Sequence, residues 1–562
     1  MSPLDRRSLL LAFSGSMLAT ACRTVQGSKL HQGAGSSPAP VVRRRWVPGE
    51  TAEYKTKYIK AVTLLKANDK KFKPKDVGYY LSWAGLVAVH EKSCQHKNWY
   101  LLPYHRLYLL YFEAACQAVL EDPTFAIPYW DWSMDGTIPD EFYDTEALQA
   151  PRDLVKGAAI PEGFVSKTVV ESILASSEFH NFHSYEPTFS LLGRSTKEEG
   201  QFEMLPHDGV HNNIGGIMAN ATRSPTDPIF WLHHANIDRL WSIWIANHAE
   251  SILPQLSLTE RDKSADPLKA LAWGDMTIGL DMTSPKPIGL EQYKDKWTDV
   301  LRTAGAQAGI PIDDQQLAGI GFLLVPNSAK PLPAGPFNRA AAPTMLVKDL
   351  IAAEKMPFFY DTDMHMSQAG KTLAVLETST KDGSNKGRTE TLLTGKTTVT
   401  GNRLATVVTL DAKMLADLPE LLGKPAANSV SLTFSNLRMP ADEALRRGLI
   451  VNYFIVSPEK LDLIPKTLTS TSFKLPEYVG AQSFFLTNHD HGSGVGQHKD
   501  PNQISGAIDI SAWLTSYIKA NGSPTQLVLV AVAANTKKDY EAVSIFAAAD
   551  KSELGLSVIK SE

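Results

Sequence analysis

At 562 residues the chain is long enough for three to four domain-sized units, and 43% hydrophobic with 21% charged residues is the balance of a globular protein with a sizeable core. Lysine and arginine number 56 against 60 aspartates and glutamates; the net charge of −4 excludes the basic excess of a nucleic-acid binder. Three cysteines (Cys22, Cys94, Cys116) exclude a disulfide scaffold and a four-cysteine metal site, and no apolar run reaches the roughly 18 residues of a membrane span.

Residues 1–21 read as an export signal of the twin-arginine type: Arg6-Arg7, a short apolar core over Ser8–Ala21, and the small residues Ala19-Thr20-Ala21 before a cleavage point. This predicts a periplasmic or secreted protein. Cys22 follows directly and offers a site for a lipid anchor, so a tethered lipoprotein is the alternative. Residues 22–50, rich in Gly, Ser, Pro and Arg, read as a flexible arm. From 51 to 325 the pattern is mainly helical. One amphipathic helix is expected over Trp99–Asp122, with Pro103 in its first turn and a stop at Asp122-Pro123, and a second over 226–248, opened by Asp227-Pro228. The stretch 255–325 is mixed and mostly helical.

Residues 326–345 are proline-rich and read as a linker. From 346 to 562 short runs follow, many of them alternating: Val430-Leu432-Phe434, Leu449–Val456, Ser483–Thr487, Leu527–Ala533 and Val543-Ile545-Ala547, separated by turn-rich stretches as in an antiparallel β-sandwich. The fold class is α plus β, in two domains.

The unusual count is 15 histidines, several bunched in two stretches. His207 and His211 are four apart, one turn from each other on one helix face. A third imidazole from His234 would complete a three-histidine metal site, and His90, His96 and His105 supply a second set. Neither set has a carboxylate at ligand spacing, unlike di-iron bundles, and all-imidazole sites suit copper or zinc more than magnesium, calcium or manganese. A zinc hydrolase or a structural metal protein stays open on these residues alone.

His96…Tyr104-His105-Arg106-x-x-Leu109-x-x-x-Glu113 resembles the copper A signature of the tyrosinase and polyphenol oxidase family, and Asp227-Pro228-x-Phe230-Trp231-x-x-His234-x-x-x-Asp238 resembles its copper B signature. Ile127-Pro128-Tyr129-Trp130-Asp131-Trp132 is similar to a third hallmark, and the close match spans about residues 80–245. Tyr104 stands where Phe or Trp is usual and Leu101 where Phe is common; both keep a bulky packing group. The resemblance implies a four-helix core around two copper ions, with O2 as co-substrate. It implies His90, His96 and His105 as copper A ligands, His207, His211 and His234 as copper B ligands, and His233 as a non-ligand neighbour. The activity implied is oxidation of o-diphenols to o-quinones with o-hydroxylation of monophenols. The alternatives are a catechol oxidase without efficient monophenolase activity and a haemocyanin-like oxygen carrier.

Around the metals, Cys94-Gln95-His96 resembles the Cys-x-His of members in which a thioether joins sulfur to the imidazole; a small buried thiol is the alternative. Glu203 precedes His207 by four, as in members where such a glutamate holds a water near copper B, and Asp208 stands where Asn is common. The glutamate and its water, beside Asp208 as a polar acceptor, can take the proton of an incoming phenol as a general base. Asp238 reads as an acceptor near His234 or a cap to Arg239, Glu113 as a buried acid paired with an arginine, and Cys116 as a core residue. His489-Asp490-His491 with His498, and Met364-His365-Met366, read either as copper-handling sites or as exposed loops. Phenolic substrates and a copper-delivering chaperone are the expected partners; the C-terminal part resembles a shielding domain by position and strand pattern.

Overall fold

The computed structural model describes residues 40–248 (except 75, 95, 97–100, 177–178 and 184–199), 276–279, 325–326, 344–346, 350–361 (except 352–355) and 388–561 (except 423–427, 439, 441, 443–444, 446–447, 485–502 and 547–551). The export signal, Cys22, most of the linker, Met364–Met366 and the His489–His498 loop lie outside these residues.

The histidine-bearing region is built on α1 (Glu53–Asn68), α2 (Trp83–Ser93), α3 (Leu101–Leu120), α4 (Asp208–Ile214) and α5 (Ile229–Asn247). Ser82 caps α2, its hydroxyl accepting the Gly85 amide at 3.1 Å. Pro103 lies in the first turn of α3, where a missing N–H costs no hydrogen bond. The helix ends at Glu121, in left-handed conformation with φ 54°, ahead of Asp122-Pro123. Asp227 accepts the Ile229 amide at 3.0 Å at the start of α5 and pairs with the buried Arg152. Phe112 of α3 and Trp231 of α5 stack with ring centroids 3.6 Å apart, which sets the two helices face to face.

The arm expected over 22–50 is ordered over its described part. β1 (Val41–Arg43) pairs in parallel with β5 (Phe358–Tyr360), and Trp46 is buried. Arg43 itself is completely buried because Glu113 and Asp238 neutralise it, so the arginines that suggested a flexible arm include one core residue. The packing of the helical region also runs past the expected 345/346 boundary, since Arg106 donates to the Leu350 carbonyl and Tyr129 to Asp361. β2 (Met276–Gly279), β3 (Val325–Pro326) and β4 (Thr344–Leu346) make a small antiparallel sheet where helix and linker were expected. Its partners are distant in sequence, and local periodicity does not register such pairing.

The C-terminal part contains β6 (Arg388–Leu393), β7 (Lys396–Thr400), β8 (Arg403–Thr409), β9 (Ser429–Arg438), β10 (Leu449–Val456), β11 (Tyr478–Ser483), β12 (Gln503–Asp509), β13 (Gln526–Asn535), β14 (Glu541–Ala542) and β15 (Glu553–Ser561). They form two antiparallel sheets, one in the order β11-β10-β13-β8-β7 with β14 on β13, the other β12-β9-β15-β6. Leu527, Leu529 and Ala531 of β13 share a core with Leu432, Phe434 and Leu556, while Val528, Val530 and Val532 join the core of the helical region. β10 divides its side chains in the same way. The centre of one sheet is thus buried on both faces, which explains why these two strands read as continuous apolar runs.

Of the strand expected at Ser483–Thr487, Ser483 ends β11, Phe484 lies in no strand, and 485–487 fall outside the described residues. Of the run at 543–547, the described residues form no strand; Ile545 and Phe546 pack into the β core. Among the described residues, no helix is long and apolar enough to cross a membrane.

Candidate metal centre

The site begins with Pro206. In an α-helix its ring would press on the Phe202 carbonyl, four residues earlier. The backbone widens into a π-turn over Glu203–His207, and the Asp208 amide bonds the carbonyls of Glu203 and Leu205. α4 continues from this turn and carries His211. Gly209 is needed between them, because a Cβ there would lie 2.4 Å from the Phe164 ring. α2 supplies His90, the segment after it His96, α3 His105 and α5 His234.

Two triads result. The ring nitrogens offered by His90, His96 and His105 lie within 4.8 Å of one another, as do those of His207, His211 and His234. The triads adjoin: His105 stacks on His234 with centroids 4.2 Å apart, and His96 lies 5.6 Å from His207. All but the half-buried His96 are buried.

Backbone carbonyls set the tautomers. Nδ1 of His90 donates to Thr222, Nδ1 of His105 to Leu101 at 2.7 Å, and Nδ1 of His211 to Met218. Each neutral ring therefore turns an unprotonated Nε2 inward. The Nε2 atoms of His90 and His105 lie 3.2 Å apart, and those of His211 and His234 3.1 Å apart. With both protons already on Nδ1, the His90–His105 contact sets lone pair against lone pair, and a cation between them relieves it. The donor set suits copper or zinc.

His207 Nδ1 lies 2.8 Å from Asp208 Oδ1, and Glu203, His207 and Asp208 form a third buried group of potential ligands. Asp208 is thus placed behind His207. Cys94 is buried two residues before His96, and burial pushes its thiol up. Asp238 does not cap Arg239, which pairs with Asp131; successive helical residues point about 100° apart, and Asp238 accepts from Arg43, Arg106 and Tyr360. Glu113 takes Arg43 and the Ile127 amide, and Cys116 is buried in the core.

The Thr222, Leu101 and Met218 carbonyls, and the Trp132 indole that donates to His233 Nδ1 at 3.2 Å, were not legible in the sequence; only the aromatic 127–132 string pointed toward the last.

Burial holds the imidazoles of His96, His207, His211 and His234 well below the ordinary histidine value, and the neighbouring rings add to the effect. His105 is pushed down from 6.5 to about 4 by burial, against the opposing Leu101 hydrogen bond. These folded-state values are depressed, so on acidification the unfolded chain takes up protons that the folded rings refuse. Stability is expected to be full above about pH 6.5 and to fall as the pH drops toward 4, by about 3 kcal/mol from His105 alone. Urea unfolding of copper-free protein at pH 7.5 and 5 measures this; equal midpoints would show that the rings are hydrated.

A family model described as the common central domain of tyrosinase matches residues 79–188 and 164–247. A tyrosinase from Hahella sp. (strain CCB-MM4) is 34% identical over 205 residues, 31% of this chain and 42% of that one. The chloroplastic polyphenol oxidase of Malus domestica is 31% identical over 247 residues, 37% of this chain and 41% of that one. The match therefore spans about two fifths of the length of each relative. The solved structure of latent apple tyrosinase superposes with a TM-score of 0.50 at 17% identity, covering 96% of this chain and 99% of that one, a likeness of fold. Residues 79–247, which enclose both histidine triads, therefore form a central domain of the tyrosinase and polyphenol oxidase kind.

Proposed function

We propose that the protein is a dicopper oxidase that uses O2 to convert o-diphenols into o-quinones, with o-hydroxylation of monophenols as a second activity. The observation that carries this is the convergence of two imidazole triads, with hydrogen bonds to backbone carbonyls turning Nε2 inward. His90, His96 and His105 would hold one copper ion and His207, His211 and His234 the other. The bound pair supplies electron transfer between O2 and the phenol.

The chain's own residues orient and move protons. The Thr222, Leu101 and Met218 carbonyls lock the rings. Asp208 accepts the Nδ1 proton of His207, which raises the donor strength of Nε2. Glu203, buried one turn before His207, is the base that takes the hydroxyl proton of a phenol. A thioether between Cys94 and His96 would fix that ring.

One observation favours the catechol oxidase reading: the Asp208 carboxylate is engaged with His207 and, unlike an asparagine side chain, has no N–H to donate. Oxygen uptake with a monophenol and with its catechol, on the native protein and on Asp208→Asn, tests the assignment. The substitution is expected to raise the monophenol-to-catechol rate ratio with two copper ions retained; an unchanged ratio removes Asp208 from proton handling. Bound zinc without oxygen uptake would defeat the oxidase reading, and reversible O2 binding without turnover would favour a carrier.

Export through the twin-arginine signal, lipid attachment at Cys22, a copper chaperone and shielding of the site by the C-terminal β region belong to the same proposal. They rest on the leader's residues and on the position of the sandwich.

A further inference from the structure

The π-turn that carries Glu203 and His207 is held from outside the helical region. In an α-turn the Asp208 amide would bond the Met204 carbonyl. Here it bonds Glu203 and Leu205, and the Met204 carbonyl accepts the hydroxyl of Ser483 at 2.6 Å. Ser483 is the last residue of β11, buried and registered opposite Ile450 of β10. The Met204 side chain is completely buried in the core of the β-sandwich, together with Phe484, Leu432 and Tyr453.

The contact continues toward the N-terminal side of the turn. Gln201 accepts the Asp509 amide at 3.3 Å, Ser176 donates to the Asp509 carboxylate at 3.0 Å, and a Cβ on Gly480 would lie 3.4 Å from the Gln201 amide nitrogen. Gln201, through its side chain, and Met204, through its carbonyl, are therefore docked on β11 and β12, shortly before the first histidine of the second triad.

We propose that Ser483 is a positioning residue for His207 and Glu203, so that the C-terminal sheet fixes the shape of the second ligand triad in addition to any covering role. Rotation of the Met204 peptide is the motion the hydroxyl opposes. It would turn Glu203 on one side, and swing Pro206 and His207 on the other. The site is too buried for water to replace the hydroxyl freely, so its loss leaves a carbonyl poorly bonded in a turn that Pro206 keeps out of α-geometry. This inference rests on the dicopper reading for its consequence, not for its geometry.

The test uses the full chain as native protein, Ser483→Ala and Ser483→Thr. Copper per chain is measured after dialysis against graded chelator, with the cupric electron paramagnetic resonance signal and hydrogen exchange of the copper-free proteins. Native protein and Ser483→Thr are expected to keep two ions that couple and are silent. Ser483→Ala should lose one ion at roughly 10- to 100-fold less chelator, exposing the signal of the uncoupled survivor. Amides 204–209 should exchange faster, while those of β13 are unchanged. Native copper retention and exchange in Ser483→Ala overturn the proposal, as does a folded Ser483→Thr that behaves like Ser483→Ala. If the native protein takes up no copper pair, the dicopper reading fails, and the exchange result still decides the role of Ser483.

Discussion

His211→Gln is expected to leave a folded protein that binds one copper ion per chain and oxidises catechol at least about a hundredfold more slowly, a loss of roughly 2.7 kcal/mol in transition-state stabilisation. His211 is held at Nδ1 by the Met218 carbonyl and presents Nε2 3.1 Å from that of His234. Glutamine keeps much of the volume but offers no unprotonated ring nitrogen. The first triad is untouched, because its Thr222 and Leu101 anchors lie elsewhere. Copper analysis and oxygen uptake on the same sample measure both effects. Two retained copper ions at the native rate would show that His211 is not a ligand.

Arg43→Ala carries the largest expected effect on stability, a loss of about 3–5 kcal/mol. Arg43 donates to both oxygens of Glu113, to Asp238 and to Tyr360, and its guanidinium lies 3.5 Å above the Phe358 ring. Asp238 also accepts from Arg106, the residue after His105, and sits one turn after His234. The network therefore joins β1, β5 and the two helices whose histidines stack on each other. Removing the cation leaves two buried carboxylates with one arginine between them. Arg43→Lys should recover only part of the loss, since an ammonium group cannot present the same planar fork. Denaturant unfolding reads the change, and a midpoint within experimental error of the native one would show the network to be energetically neutral.

Both variants act on residues whose legibility in the sequence differs. His211 stands four residues from His207, and local spacing alone places it on a helix face. Arg43 lies in a Gly- and Pro-rich stretch that reads as a flexible arm. Its partners are 70 and 195 positions away in the chain, so nothing local distinguishes it from Arg44 or Arg45. The same limit applies to Asp238, whose position near His234 was readable while its partners were not.

In the β region, Leu449–Val456 and Leu527–Ala533 were legible as strands because burial on both faces makes them long and apolar. β7 and β8 carry more threonine and exposed residues and give a weaker signal. β11 contains Gly480 and ends at Ser483, so its existence rests on pairing with β10 and on docking against Gln201 and Met204.

By itself the amino-acid order determined the histidine triads, the helices α3 and α5, the central family motif and the presence of a sheet-rich C-terminal half. Each depends on spacing within a few turns or on side-chain type, both of which are local. Only the tertiary structure decided which ring nitrogen faces inward, where Asp208 and Asp238 point, that Arg43 is interior, and that a serine of the sheet secures the turn before His207. Those choices are made by carbonyls and charges brought together from distant positions, where burial makes an unmet hydrogen bond or charge too costly to leave.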